Sequence, residues 1–219
     1  NFRQSRISVA FLSMEHSIWQ QFLDGLLQTR WYEFIAVLAG IVSVWFSRKE
    51  NILVYPVGLI NTIMYIFISI EGHLYGEASV NLYYTIMSIY GWILWSKRDE
   101  QQQHTVRVSF SKTKEWLHQL GFFCVFYALI FAALTWMKQA FAPEAIPWAD
   151  ALASASAYTG MWLMAKKKVE SWYWWIITNL ASIPLYFIKG YVFTSFQFVI
   201  LLVLAFAGLI SWKTKAVKA

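Results

Sequence analysis

In the run WYWWIITN, Trp172, Trp175 and Asn179 stand three and four residues apart, so on a helix they share one face. Two indole faces and an amide can hold a flat ligand. A cation over an indole gains about 0.5–2 kcal/mol, and an amide both donates and accepts hydrogen bonds. Further polar groups stand in equally apolar surroundings: Asn61, the stripe Asn81, Tyr84, Thr85 and Ser88, and Gln197. Trp162, like Trp175, lies deeper in its segment, whereas Trp172 and Trp174 also fit the span-end belt. No Asp, Glu, Lys or Arg lies well inside these segments, so the residue set suits recognition rather than bond-making. A polar amide in lipid is expensive unless it hydrogen-bonds, which turns these residues toward an interior. Pro184 removes the hydrogen bond to the Leu180 carbonyl and is expected to disturb the helix one turn beyond Asn179.

The elements that carry these residues are membrane spans. The chain has 219 residues, 58% hydrophobic and 19% aromatic, with mean hydropathy +0.46. Only 14% are charged, against about 25% in soluble domains. Apolar runs near the roughly 20 residues of a bilayer crossing recur throughout. We read seven spans at 33–47, 52–70, 77–96, 115–137, 148–165, 171–188 and 191–212. Before them, Ile18, Trp19, Phe22, Leu23, Leu26 and Leu27 form one helical stripe beside Asp24, which predicts an interfacial amphipathic helix. Trp31, Trp95, Trp116, Trp136, Trp148 and Trp212 sit at span ends and read as an interfacial belt. The single Cys124 excludes an internal disulfide, and the four scattered histidines give no metal-ligand spacing, so no metal and no cofactor are expected. The sequence starts at Asn1 rather than Met, which predicts a trimmed chain, and spans that insert by themselves need no cleavable signal.

Charge orients the bundle. Lys and Arg at one set of ends and loops are Arg48, Lys49, Lys97, Arg98, Arg107, Lys112, Lys114, Lys166, Lys167, Lys168, Lys213, Lys215 and Lys218, thirteen of the 18. By the positive-inside rule this side is cytoplasmic, with the N-terminus outside and the C-terminus inside. The net charge of +6 is explained by this bias, so nucleic acid is not a partner. The linker 97–114 reads as a solvated cytoplasmic loop.

A duplication fixes the topology. Trp45, Gly91 and Trp95 recur as Trp162, Gly208 and Trp212 at a shift of 117, and Asn61, Gly72 and Tyr75 as Asn179, Gly190 and Phe193 at 118. Three spans invert the chain, and a fourth restores its direction. This predicts an all-α integral membrane protein of seven helices in a 3+1+3 arrangement of parallel repeats, an architecture that binds substrate between the halves. The divisions are an N-terminal segment 1–30, a first repeat 31–97, linker and inverting helix 98–145, a second repeat 146–213 and a tail 214–219. The candidate binding residues are Trp175, Asn179, Gln197, Asn61, Trp172, Asn81, Tyr84, Ser88 and Trp162.

The run Trp172–Phe198 with Glu170 before it, the run ENILVYPVGLINTIMY at Glu50–Tyr65 and the exit GWILWSKR at Gly91–Arg98 resemble the PnuC family of bacterial vitamin transporters. The likeness extends over residues 33–213. It implies a seven-helix fold related to the SWEET sugar transporters and a homotrimer in the inner membrane. It also implies uptake of nicotinamide riboside by facilitated diffusion, with trapping by a separate cytoplasmic kinase. Relatives on this scaffold resemble thiamine and riboflavin carriers, and a sugar carrier is the other alternative. A photoreceptor would need a lysine in the last span, 191–212, and a hydrolase a buried acid or nucleophile–base pair; both are missing, so no enzyme is expected.

Overall fold

A computed structural model describes residues 18–28, 30–71, 75–98, 100, 105–138 and 146–218. The first 17 residues and Gly72 of the duplicated pattern lie outside that set. Eight α-helices are described: α1 (Ile18–Gln28), α2 (Trp31–Arg48), α3 (Val54–Glu71), α4 (Tyr75–Ser96), α5 (Thr113–Met137), α6 (Pro147–Ala165), α7 (Ser171–Ile188) and α8 (Val192–Lys218). Among the described residues there is no extended strand, and an isolated bridge joins Ser109 and Lys168. Three helices, α3, α5 and α8, are long and apolar enough to cross a membrane by length and composition.

Local chemistry sets the ends. Pro147 opens α6, where its missing N–H is not needed. Gly190, at φ 82°, takes the left-handed conformation that ends α7. α7 itself runs through Pro184 to Ile188. α8 continues past the expected end at 212 to Lys218, because the Lys- and Ala-rich tail favours helix and nothing there stops it. α1 docks on α8 through Phe22, whose ring lies 5.7 Å from that of Phe193 and 5.3 Å from that of Phe196, while Leu27 stays exposed.

The packing order is symmetrical. α3 packs on α2 and α4, and α7 packs on α6 and α8. Between the triplets, α2 meets α8 and α4 meets α6, so the first helix of each triplet touches the third helix of the other. α5 lies along α6. Small side chains let α6 occupy the centre: Ala149, Ala151, Ala153, Ala155, Ser156, Ala157, Thr159 and Gly160 are all buried.

Residues 117 apart make matching contacts. Tyr55 meets Trp95 edge-on at 5.1 Å, and Trp172 meets Trp212 edge-on at 5.5 Å. A Cβ on Gly91 would overlap the Tyr55 ring, and one on Gly208 the Trp172 ring, so both glycines are required by close approach. Trp95 Nε1 donates to Ala165 O at 3.1 Å, and Trp212 Nε1 donates to Ser47 O at 3.0 Å, the two acceptors standing one residue out of the 117 register. These two indoles are therefore cross-triplet hydrogen bonders, 2% and 0% exposed, and not the belt residues expected from their positions at span ends. Trp31, Trp136 and Trp148 are exposed, as a belt requires.

The same offset corrects the pairing of the amides. Asn61 Nδ2 donates to Ala36 O at 2.7 Å, and Thr178 Oγ1, which donates to Trp174 O at 3.0 Å, also lies 3.4 Å from Ala153 O. Asn61 thus matches Thr178, not Asn179, because no residue is inserted between the Tyr55/Trp172 position and this one. Gly40 faces Asn61, whereas Ala157 stands at the equivalent position opposite the smaller Thr178.

At the Lys/Arg-rich end, Glu50 (φ 61°) and Lys167 (φ 52°) occupy equivalent turns, both left-handed, and bond each other at 2.7 Å. Lys215 adds a second cation to Glu50 at 3.1 Å, and Lys167 Nζ lies 4.5 Å from the centre of the Trp95 ring. Burial works against ionising Glu50, but the hydrogen bonds and charges of Lys167 and Lys215 outweigh it and hold the carboxyl below the ordinary range. The linker is docked, not fully solvated as expected. Val108 is buried in the core, Ser109 N donates to Lys167 O, and Val169 N donates to Ser109 O. Buried Glu170 accepts from Ser111 N at 2.9 Å and Ser111 Oγ at 2.8 Å. One apolar side chain and one buried acceptor are enough to pull the loop in.

Candidate functional site

The expected residues that come together are Trp175 and Tyr84. The Tyr84 ring, midway along α4, lies 6.3 Å from Trp175 on α7 and 6.3 Å from Tyr158 on α6. Tyr83 packs on Tyr158 at 4.3 Å and donates its hydroxyl to Tyr158 O at 3.0 Å. Gly160 makes room for the indole: a Cβ there would sit 3.2 Å from Trp175 Cε2. Asn179 is buried one turn beyond Trp175 on the same helix face. The cluster therefore draws on α4 from one triplet and on α6 and α7 from the other.

The symmetry breaks here. At the offset of 117, Trp175 corresponds to Gly58 and Gly160 to Ser43, with Gly58 facing Ser43. Asn179 corresponds to Thr62, whose Oγ1 lies 2.9 Å from Thr85 Oγ1. One triplet supplies the indole and the amide; the other supplies small groups and hydroxyls. A matched frame thus carries an unmatched site.

The other expected residues have different surroundings. Ser88 is buried one turn beyond Tyr84, Asn81 is half-buried one turn before Thr85, and Gln197 is half-buried on α8. Trp172 is fully buried in the core against Trp212, and its indole N–H has no hydrogen-bond partner among the described residues. Trp162 faces α5, stacked on Phe122 at 5.0 Å. Asn61 is bonded to the α2 backbone, which makes it a joint between helices. Asn61→Leu should lower Tm by a few degrees, since one net hydrogen bond is worth about 1 kcal/mol, and leave ligand affinity within about twofold. Calorimetry beside a melting curve checks this.

Tyr83, Tyr158 and Gly160 were not expected. Tyr158 had a signal, as the one aromatic in the small-residue run ALASASAYTG. Gly160 had none, since its role is to be absent where Trp175 lies.

The described ion pairs lie at helix ends and turns: Arg30–Glu71, Asp150–Lys189, Glu50 with Lys167 and Lys215, and Glu115–Lys168. The cluster offers aromatic faces, hydroxyls and an amide. It can stack a flat cation and bond neutral donors and acceptors.

Apolar helices packed as two groups of three, with an aromatic cluster where they meet, make the frame of a helical membrane protein, and the proteins it is similar to are transporters. The fold is shared with a solved structure described as the crystal structure of the Vitamin B3 transporter PnuC, at TM-score 0.68 and 22% identity, covering 92% of this chain and 88% of that one. The nicotinamide riboside transporter PnuC of Escherichia coli K12 is 27% identical over 206 residues, 85% of this chain and 86% of its own. The riboflavin/roseoflavin transporter RibM of Streptomyces davaonensis is 26% identical over 189 residues, 83% and 84% of the two chains. Residues 30–214 match the nicotinamide mononucleotide transporter family, and the chain belongs to it.

Proposed function

We propose that this transporter carries nicotinamide riboside into bacterial cells across the inner membrane. The observation that carries the reading is the cluster of Trp175, Tyr84 and Tyr158 with Asn179 buried beside it. A pyridinium suits stacking against an indole, and ribose hydroxyls and a carboxamide suit an amide. A nucleotide phosphate would need a cation that these residues do not offer, which favours the riboside over the mononucleotide. The E. coli relative named for this substrate supports the same choice.

Transport is by facilitated diffusion, because the spans hold no buried acid or base to relay a proton. A separate cytoplasmic kinase then traps the substrate. The rings of the cluster touch, so the two triplets must part for the ligand to pass. The reciprocal contacts at an offset of 117 support a 3+1+3 bundle of seven crossings with parallel repeats. The homotrimer rests on the resemblance alone.

Uptake into sealed vesicles tests the function. Radiolabelled nicotinamide riboside should enter faster than riboflavin, thiamine or glucose and stop at equal concentration on both sides. Accumulation driven by a pH or sodium gradient would overturn the uniport, and preferred riboflavin entry would move the substrate assignment to that of the RibM relative. Orientation is tested at the two ends of α5. In a Cys124→Ser background, Lys138→Cys should react with an impermeant maleimide in intact cells, and Lys114→Cys only after lysis. The reverse pattern contradicts the N-out arrangement.

A further inference from the structure

A cavity of about 670 Å³ opens between α5 and α6, away from the Trp175 cluster. Its polarity changes along its length. Lys166, Lys168 and His118 stand at one end, together with Glu115. Further along, Phe122 lies 4.5 Å from Phe126 and 5.0 Å from Trp162, forming an apolar wall. Glu115 answers Lys168 at 2.9 Å. Lys166 forms no ion pair among the described residues and lies 4.3 Å over the Trp162 ring. The groove therefore keeps one unanswered cation beside an apolar slot. Its floor is open: a Cβ at Gly121 would meet nothing within 4 Å. That glycine does not admit a packed neighbour, as Gly91 and Gly208 do; it leaves space.

We propose that this groove binds an anionic phospholipid, with the headgroup phosphate at Lys166 and an acyl chain along Phe122 and Phe126. A cation at the Lys/Arg-rich end with hydrocarbon beyond it has the polarity order of one lipid leaflet. A headgroup phosphate supplies the anion that Lys166 lacks among the described residues, and an acyl chain supplies apolar contact to the Phe122 and Phe126 wall. The inference rests on the chain being a membrane protein, and not on which vitamin it carries.

The test adds phosphatidylglycerol, phosphatidylcholine with the same acyl chains, or inorganic phosphate to the purified full chain in detergent. Phosphatidylglycerol should survive as an adduct in native mass spectrometry and raise Tm by roughly 5–10 °C at a hundredfold excess over its Kd. Phosphatidylcholine should give a clearly smaller shift, and phosphate none. Gly121→Leu, which fills open space, should keep the parental Tm without lipid and weaken the adduct at least tenfold. Lys166→Gln should bring phosphatidylglycerol down to the phosphatidylcholine level. Nicotinamide riboside affinity should be unchanged in both variants. Equal binding of the two lipids, an adduct that survives Gly121→Leu, or an equal shift from phosphate alone would overturn the proposal. So would disulfide formation between subunits through Gly121→Cys, which would mean that another copy fills the groove.

Discussion

Asn179→Leu should weaken nicotinamide riboside binding roughly 5-fold to 150-fold under the proposed function, because an unmade hydrogen bond inside a dry site costs about 1–3 kcal/mol. Trp175→Leu weakens it roughly 2-fold to 30-fold, the value of about 0.5–2 kcal/mol for a cation over an indole. Leucine is isosteric enough at position 179, and Trp175 is only half-buried, so both variants should still fold. The two side chains stand one turn apart and share the ligand, so their effects should not add. Titration calorimetry beside a melting curve separates binding from stability. If Asn179 only joins helices, Asn179→Leu lowers Tm while the folded fraction keeps its affinity. Unchanged dissociation constants in both variants would move the ligand away from the cluster.

The largest expected loss of stability comes from Glu50→Gln. Lys167 is 4% exposed at its side chain, and without Glu50 its charge is left buried with no carboxylate. Breaking one half of such a pair costs about 3–5 kcal/mol, which corresponds to a fall in Tm of roughly 10 °C. Adding Lys167→Met should restore most of it, since the unpaired charge is then gone. The pH dependence follows from the sign. Glu50 is held below the ordinary carboxylate range, so its contribution is complete above the unfolded value of about 4.3 and is lost as pH falls through the folded value. The gap in Tm between parent and Glu50→Gln should be constant near neutrality and shrink below about pH 4. A gap that widens in acid would contradict the assignment.

Much of the frame was legible in the sequence because lipid imposes strong rules. Span positions followed from apolar runs, and every expected span coincides with a helix to within a few residues except the extended end of α8. Trp95/Trp212 and Gly91/Gly208 gave the offset of 117. What sequence could not supply was the purpose of the matches. The tryptophans looked like belt residues, because a position at a span end does not say whether an indole faces lipid or the other triplet. Asn61 looked like a partner of Asn179 because two rare amides invite pairing. Only the carbonyls they approach, Ala36 and Ala153, reveal that Thr178 holds the matching place.

The residues of the candidate cluster were half legible for a similar reason. Trp175 and Asn179 stood out as costly residues on one face, and Tyr84 lay on a polar stripe. Tyr158 and Gly160 matter through what crosses to them from α4 and α7, and that is a property of the assembled bundle. Trp162 lay as deep in its span as Trp175, and Trp172 shared the helix face of Trp175, but Trp162 packs on α5 and Trp172 in the core.

The central claim is that nicotinamide riboside sits between the two triplets on an aromatic and amide surface. A structure determined with nicotinamide riboside bound tests it most directly. Ligand density is expected against Trp175, with Tyr84 and Tyr158 around the pyridinium and Asn179 within hydrogen-bond distance of the ribose or carboxamide. Density at any other place in the bundle, with the Trp175 cluster still closed on itself, would contradict it.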